Sequence, residues 1–280
     1  MRIVAILASY NERRFIGGCL DHLHEHGVET YLIDNCSSDE TVAIAESRLG
    51  QGLIGIEEFP RADVYDWRGL LQRKEELAVE LDADWIIHLD PDELRLPPPG
   101  FGTLAEALHA VDRQGYNAVN FIEFTFVPTR EAPDHDHPEF RQTLQTYYPF
   151  CPQFPHQLTA WKTGAAPAPD IASTGGHRVR FPGLRMYPRS FPMKHYLFLG
   201  VPHAVEKYVQ RRYAPAEVNS GWHGWRARIE EKDLQLPSES ELRLARPDDD
   251  LDFSNPRKRH FADDLVKGSR PARTGEPASS

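Results

Sequence analysis

The sequence predicts an α/β protein with a Rossmann-type, mainly parallel sheet flanked by helices, followed by a smaller mixed β/α half. In the N-terminal third, four apolar, strand-like runs alternate with three helical patterns. Two of these runs end directly in acidic residues, Asp34 and Asp90. Parallel strands joined by helices take right-handed crossovers, and ligands of such sheets bind beyond the carboxyl ends of the strands.

The first strand has the clearest pattern. Residues 3–8 form a continuous apolar run, which is typical of a parallel strand buried on both faces. A helix follows, because Phe15, Cys19 and Leu23 recur at helical spacing before Gly27. Up to residue 89 the remaining elements are predicted as strands at 30–33, 53–59 and 85–89 and helices at 41–44 and 70–81.

The second half is less regular. A helix holding Leu104, Leu108 and Val111 leads to a long strand at 118–127, which is rich in β-branched and aromatic residues. Residues 128–155 contain many Pro, Asp and His without a period, which predicts a loop or flap. The later elements are predicted as short strands at 157–162, 177–181 and 193–197 and a helix at 201–212.

These patterns divide the chain into three parts. Residues 1–127 form the α/β half, and residues 128–231 form the smaller half of the same domain. Pro, Ser, Asp and Arg dominate residues 232–280, so we expect a loosely packed or disordered tail there.

Composition excludes several classes of protein. The 280 residues carry a formal net charge of -10, which argues against a nucleic-acid binder with a basic face. No apolar run is long enough to span a bilayer, and the N-terminus enters a strand without a signal-peptide pattern. The scattered Cys19, Cys36 and Cys151 indicate neither a disulfide framework nor a zinc site. We expect a cytoplasmic protein, with peripheral membrane association left open.

The acidic sequence Asp90-Pro91-Asp92-Glu93 ends the fourth strand. Three carboxylates within four residues repel one another, and a divalent cation carrying phosphate offsets them most directly. Hard oxygen ligands of this kind suit Mg²⁺ or Mn²⁺. An acidic, solvated loop is the alternative explanation.

Polar residues also follow the first two strands. Asp34 could accept hydrogen bonds from a base or ribose, or it could be a turn residue. Asn11 and Glu12 could face a ligand or simply begin the first helix. No Gly-x-Gly-x-x-Gly follows the first strand and no Gly-x-x-x-x-Gly-Lys occurs, so dinucleotide-binding and P-loop sites lose their main support.

Together these strand ends resemble the family 2 glycosyltransferases of GT-A fold, in particular a bacterial subgroup with an Asp-x-Asp-Glu motif. The residues that carry the resemblance are 8–12 (Ala-Ser-Tyr-Asn-Glu), 34–41 (Asp-Asn-Cys-Ser-Ser-Asp-Glu-Thr) and 89–93 (Leu-Asp-Pro-Asp-Glu). The resemblance is good over residues 1–127, weaker to Lys207, and absent from the tail. It implies a GT-A-like fold whose second half binds the acceptor.

The resemblance also implies roles for individual residues. Asp90 and Asp92 would hold ribose and metal–diphosphate, His195 would complete the metal shell, and Lys207 or Arg211 would neutralise phosphate. The residues implied on the nucleotide-sugar side are Tyr10, Asn11, Glu12, Asp34 and, in an insecure alignment, Arg73 or Lys74. A solvated helix face is an equally good explanation for Lys207.

An inverting transfer needs a base that deprotonates the acceptor hydroxyl. The common family pattern of a Glu-Asp pair at a later helix start is missing from this sequence. Glu123, Asp170 and His177 are the candidates. Glu123 could instead have only a structural role, hydrogen-bonded within the protein, and Asp170 lies in a sequence typical of a turn. His177 follows two glycines and so lies on a flexible loop.

We therefore expect a Mn²⁺- or Mg²⁺-dependent glycosyltransferase that moves a sugar from a nucleotide-sugar, such as a UDP-sugar, to an acceptor hydroxyl with inversion. Its partners would be that donor and a carbohydrate or small-molecule acceptor, with no nucleic acid. Three alternatives remain: a nucleotidyltransferase that forms nucleotide-sugars, a metal-dependent phosphohydrolase, and a non-catalytic nucleotide- or sugar-binding protein.

Overall fold

The computed structural model describes residues 1–61, 64–164, 168–219, 221–245, 251–261 and 263. In chain order its strands are β1 (Ile3–Ser9), β2 (Glu29–Asp34), β3 (Leu53–Glu58), β4 (Trp85–Leu89), β5 (Glu93–Arg95), β6 (Ala118–Phe126), β7 (Thr146–Phe150), β8 (Gln157–Lys162), β9 (Phe191–Tyr196) and β10 (Arg243–Leu244). Its α-helices are α1 (Ile16–Glu25), α2 (Thr41–Glu46), α3 (Trp67–Glu80), α4 (Leu104–Arg113), α5 (Phe140–Thr143), α6 (Val201–Ala204) and α7 (Pro215–Asn219). None of these described helices is long and apolar enough to cross a membrane.

The N-terminal half is the predicted parallel unit. β3, β2, β1 and β4 lie side by side in that order, and each neighbouring pair is parallel. Ala5 and Leu7 of β1 pack in the apolar cluster that includes α1 and α4, whereas Val4 and Ile6 pack in the cluster that includes α3. Burial on both faces explains the continuous apolar run, and the predicted fold class is confirmed.

Beyond β4 the sheet continues with antiparallel neighbours. β8 pairs with β4, β6 pairs with β8, and β7 pairs with β6. β9 runs parallel to β6 and antiparallel to β5, so that His195 lies opposite Thr125 on one side and Glu93 on the other. This register brings His195 between the acidic cluster after β4 and the strand that carries Glu123.

Several predicted elements of the second half need correction. The predicted loop at 128–155 contains α5 and β7, and residues 177–181 make only isolated bridges at Arg178 and Arg180. The predicted helix at 201–212 is α6 followed by a π-helical turn at Val205–Val209. These segments are stabilised by contacts with distant strands, which local sequence patterns do not reveal.

The expectation of a loosely packed tail is corrected for residues 232–245 and 251–261. β10 pairs with β7, and four apolar side chains of this segment pack against the cluster around Val127 and Leu197. These side chains are Leu234, Leu236, Leu242 and Phe261. Each of these side chains contacts the core on its own and not as part of a regular helix or strand. The sequence therefore shows no helical or strand-like repeat of apolar residues in this segment. The rest of the predicted tail, 246–250, 262 and 264–280, lies outside the described residues.

Candidate active site

A cavity of about 420 Å³ lies at the carboxyl ends of β1 and β4. One wall carries Tyr10 and Glu12 after β1 and the acidic cluster after β4. Three cationic side chains, Lys207, Arg211 and Arg226, also line it and are called here the basic wall. The cavity therefore brings a carboxylate cluster and a group of cations together, at the sheet edge where the sequence predicts a ligand.

Asp92 is buried and paired with two cationic groups. Its Oδ2 accepts from Lys207 Nζ at 2.5 Å and lies 3.3 Å from His195 Nε2. Burial by itself would raise the pKa of this carboxyl, but Lys207 and His195 hold the pKa of Asp92 well below its usual value. Burial opposes the charge on Lys207 as well, yet Asp92 raises the pKa of this ammonium. Lys207 is thus part of the site and not a solvated helix residue.

Asp90 offers an unused ligand atom. Its backbone N–H donates to Glu93 Oε2 at 3.2 Å, but its side-chain Oδ1 is buried without a hydrogen-bond partner among the described residues. Leaving a carboxylate oxygen buried and unpaired is costly. A cation or a ligand hydroxyl at this atom would remove that cost.

Glu123 connects two histidines at the base of the cavity. Its Oε1 accepts from His195 Nδ1 at 2.7 Å and from the Thr125 hydroxyl at 2.8 Å, while its Oε2 lies 3.3 Å from His156 Nε2. Burial favours the uncharged carboxyl, but His195 and His156 hold the pKa of Glu123 well below its usual value. Burial likewise opposes protonation of His195, but Asp92 and Glu123 raise its pKa well above the usual value. His195 therefore lies between two carboxylates that favour its protonated form.

The segment after β1 also contributes to the cavity lining. Burial raises the pKa of Glu12 to about 7, although the charge of Lys207 acts in the opposite direction. The Arg61 guanidinium lies 3.7 Å from the centre of the Tyr10 ring, and Arg211 lies 5.8 Å from it. An aromatic ring flanked by guanidinium groups can take part in stacking against a planar base.

Most of the predicted site residues meet at this cavity. Those that line it are Tyr10, Glu12, Asp90, Asp92, Glu123, His177, His195 and Lys207. They come from six separate stretches of chain, and the strand order brings them together. His177 is exposed, and its ring is stacked on that of His156 with centroids 5.1 Å apart.

Two predicted residues, Asp34 and Asn11, are not among the residues that line the cavity. Asp34 Oδ1 accepts from Ser9 Oγ at 3.2 Å and Oδ2 accepts from the Ser37 N–H at 2.8 Å. Asn11 adopts a left-handed backbone with φ of 55°, and its Oδ1 accepts from the Ser38 N–H at 2.8 Å. Both side chains hold the loops after β1 and β2 in place.

Arg73, Lys74 and Asp170 are also outside the cavity lining. Arg73 forms ion pairs with three carboxylates, those of Glu57, Glu76 and Glu80, which corrects its predicted position near the nucleotide. Lys74 is buried beside His88 Nδ1 at 2.9 Å. Asp170 accepts from the Ser173 N–H at 2.9 Å and from the Ser173 hydroxyl at 2.5 Å, so it is a turn residue and not a base near the site.

Sequence reasoning missed His156, Arg226 and His260, all of which line the cavity. His260 comes from the segment expected to be loose; its Nδ1 lies 2.8 Å from Tyr148 Oη, and its ring stacks on Phe150. His156 and His260 lie in irregular segments and Arg226 lies in the short 3-10 helix Gly224–Ala227. None of them belongs to a motif, so only the tertiary packing of these segments could locate them.

A preassembled metal centre is not visible. Within the described ranges, no group of three or more His, Cys, Asp or Glu side chains is spaced to hold a metal ion. The donor set of Asp90, Asp92 and His195 nevertheless has the chemistry of a hard divalent-cation site, and Asp90 Oδ1 is available. Glu123 at His195 Nδ1 is the kind of partner that orients a metal-binding histidine.

Residues 4–119 match the family model described as glycosyl transferase family 2. This segment contains the four parallel strands and the acidic cluster, so the resemblance predicted from the strand-end motifs is confirmed over this part of the chain. The predicted class of enzyme, a glycosyltransferase, agrees with this family. No curated protein matches the sequence significantly.

Several solved structures are similar to this protein at low sequence identity. S. aureus TarS is 13% identical with a TM-score of 0.43, covering 80% of this chain and 44% of that chain. S. aureus TarS 1-349 in complex with UDP-GlcNAc is 12% identical with a TM-score of 0.45, covering 81% and 71%. Glucosyl-3-phosphoglycerate synthase from Mycobacterium tuberculosis, in complex with Mn²⁺, UDP and glucosyl-3-phosphoglycerate, is 20% identical with a TM-score of 0.31, covering 44% of each chain. This chain thus spans less than half of full-length TarS, and likenesses this distant say nothing about its ligands.

Proposed function

We propose that this protein transfers a sugar from a nucleoside diphosphate sugar to an acceptor hydroxyl. The observation that carries the proposal is the buried, unpartnered Asp90 Oδ1 in a cavity that also holds Asp92 and a basic wall. The same cavity lies at the strand ends of the segment that matches a glycosyltransferase family.

The basic wall suits the leaving group of this reaction. A nucleoside diphosphate gains negative charge as the bond to the sugar breaks, and positioned cations stabilise that charge. Lys207, Arg211 and Arg226 supply three such cations in one cavity. Tyr10 lies beside Arg211 and Arg61, a suitable place for the base of the nucleotide.

The proposal includes a divalent cation, Mn²⁺ or Mg²⁺, held by Asp90 and Asp92, with His195 as a further ligand once the cation takes the place of the proton on Nε2. Such an ion supplies Lewis-acid stabilisation of the departing diphosphate. Asp92 now pairs with Lys207, so a cation at Asp92 would free the Lys207 ammonium for phosphate. The uracil base and the inverting stereochemistry are parts of this proposal, and the cytoplasmic location remains a prediction from the sequence.

A thermal-shift panel of UDP, GDP, ADP and CDP, each with and without Mn²⁺, tests the proposal. A ligand that binds only the folded state raises the melting temperature, so we expect UDP with Mn²⁺ to give the largest shift. If no nucleoside diphosphate raised the melting temperature, with or without Mn²⁺, the proposed nucleotide site would be contradicted.

Product analysis separates the alternatives. With a UDP-sugar and water as acceptor, the proposed enzyme releases UDP and free sugar. A phosphohydrolase that attacks the diphosphate releases UMP and sugar phosphate. A nucleotidyltransferase converts the UDP-sugar and added pyrophosphate to UTP and sugar phosphate, and a non-catalytic binder releases nothing.

A further inference from the structure

We propose that His156 is the base that takes the proton from the acceptor hydroxyl, and that Glu123 positions it. The inference rests on the proposed function and assigns to it a residue that the sequence did not indicate. His156 lines the cavity, is 6% exposed, and lies just before β8.

The two nitrogens of His156 have different surroundings. Nε2 lies 3.3 Å from Glu123 Oε2 and donates to it, because an ionised carboxylate can only accept. This assignment places the lone pair of the neutral ring on Nδ1. Nδ1 is buried and has no hydrogen-bond partner among the described residues. A buried acceptor atom without a donor is unfavourable, and a hydroxyl group of a bound acceptor would satisfy it.

Glu123 prepares His156 for this role. The carboxyl is 2% exposed, and its Oε1 accepts from His195 Nδ1 at 2.7 Å and from the Thr125 hydroxyl at 2.8 Å, which leaves Oε2 for His156. A carboxylate on one imidazole nitrogen fixes the tautomer and stabilises the imidazolium that forms when the other nitrogen takes a proton. The backbone also holds this residue, because the His156 N–H donates to Asn120 Oδ1 at 3.1 Å.

The other candidate bases fit less well. Both oxygens of Glu123 are already engaged by histidines. His195 has a carboxylate at each nitrogen. Asp170 is outside the cavity lining, and His177 is exposed, with its ring stacked on that of His156.

The step balances without another reactant. The acceptor O–H proton moves to His156 Nδ1 as the acceptor oxygen forms a bond to the anomeric carbon of the sugar. The bond from that carbon to the diphosphate oxygen breaks, and its electron pair leaves with the nucleoside diphosphate. The donor end of the cavity, at Asp92, is linked to His156 through His195 and Glu123.

His156→Ala and His156→Gln test the assignment, with His24→Ala, an exposed histidine of α1, as the control. The assay is release of UDP from UDP-GlcNAc or UDP-glucose with water as acceptor. UDP affinity from calorimetry serves as the second readout. We expect both His156 variants to lose activity by roughly 10²–10⁴-fold while binding UDP within about twofold of the wild type.

Added imidazole distinguishes a base from a structural residue. His156→Ala leaves space for imidazole beside Glu123, so imidazole should raise its rate, whereas the Gln side chain fills that space and should prevent rescue. A wild-type rate in His156→Ala, or no rescue by imidazole, would overturn the base assignment while leaving the proposed function intact. If the wild type neither binds UDP nor cleaves either donor, the proposed function fails and this inference with it.

Discussion

Lys207 Nζ lies 2.5 Å from Asp92 Oδ2, which joins the turn after α6 to the acidic cluster after β4 across 115 positions of sequence. Both side chains are more than nine-tenths buried. A buried ion pair is costly to break at one partner, because the other charge is then left in a low-dielectric site. The pair therefore couples the conformation of the basic wall to the acidic cluster.

Replacing Asp92 tests the donor side of the site. Asp92→Asn removes the charge that a cation would contact but keeps the shape of the side chain. We expect metal-dependent donor cleavage to fall by on the order of a hundredfold, and the Mn²⁺ dependence of UDP affinity to disappear. Full turnover in this variant, measured as UDP release, would contradict the proposed cation site.

Replacing Glu123 tests the carboxylate between the histidines. Glu123→Gln leaves the His195 imidazolium without one of its two anions, so we expect a loss of about 1–3 kcal/mol in unfolding free energy. Urea denaturation measures it. The control is Glu76→Gln, because Glu76 is 62% exposed and its pair with Arg73 contributes little. Equal losses of unfolding free energy in both variants would contradict a stabilising role for the buried contacts of Glu123 with His195 and His156.

Replacing Glu12 tests a pH dependence. Burial raises the pKa of Glu12 from 4.5 to about 7, so the folded protein binds this proton more tightly than the unfolded chain. The stability contributed by this group is complete below pH 4.5 and is lost as the pH rises to about 7. We expect Glu12→Gln to gain up to about 3 kcal/mol relative to the wild type between these pH values. Urea unfolding at pH 5 and pH 8 measures the unfolding free energy of both proteins. If Glu12→Gln differed from the wild type by the same amount at both pH values, the raised pKa of Glu12 would be contradicted.

Replacing Asp34 separates a structural role from a ligand role. Asp34→Ala leaves the Ser9 hydroxyl and the Ser37 N–H without their acceptor, which should cost about 1–3 kcal/mol of stability. The exposed Asp82→Ala is the control and should change stability by less than about 0.5 kcal/mol. The sequence-based role also predicts weaker UDP binding. Unchanged UDP affinity in calorimetry would leave Asp34 as a loop-holding residue only.

Replacing Phe261 tests the packing of the C-terminal segment. Phe261 contacts Tyr148 edge to face, with centroids 5.1 Å apart, and lies under the Arg257 guanidinium at 3.7 Å. Phe261→Ala should lower the unfolding free energy by about 1–3 kcal/mol. Val79→Ala is the control, because Val79 is 65% exposed on α3. A loss no greater than that of the control would show that the segment is loosely held.

Much of the N-terminal half could be predicted because its signals are local. The apolar run at 3–8 and the helical spacing of Phe15, Cys19 and Leu23 each specify an element without reference to the rest of the chain. The acidic cluster at 90–93 is equally visible, since three neighbouring carboxylates need compensation wherever they lie. Arg73 was misplaced because its charge says nothing about which face of α3 it occupies.

Repeating apolar periods and clustered charge act over a few residues, so local patterns specify the parallel unit and the carboxylate end of its site. The tertiary structure adds the basic wall and the hydrogen-bonded chain from Asp92 through His195 and Glu123 to His156. Those residues meet because β9 lies between β5 and β6, a pairing set by long-range hydrogen bonds that no local pattern encodes.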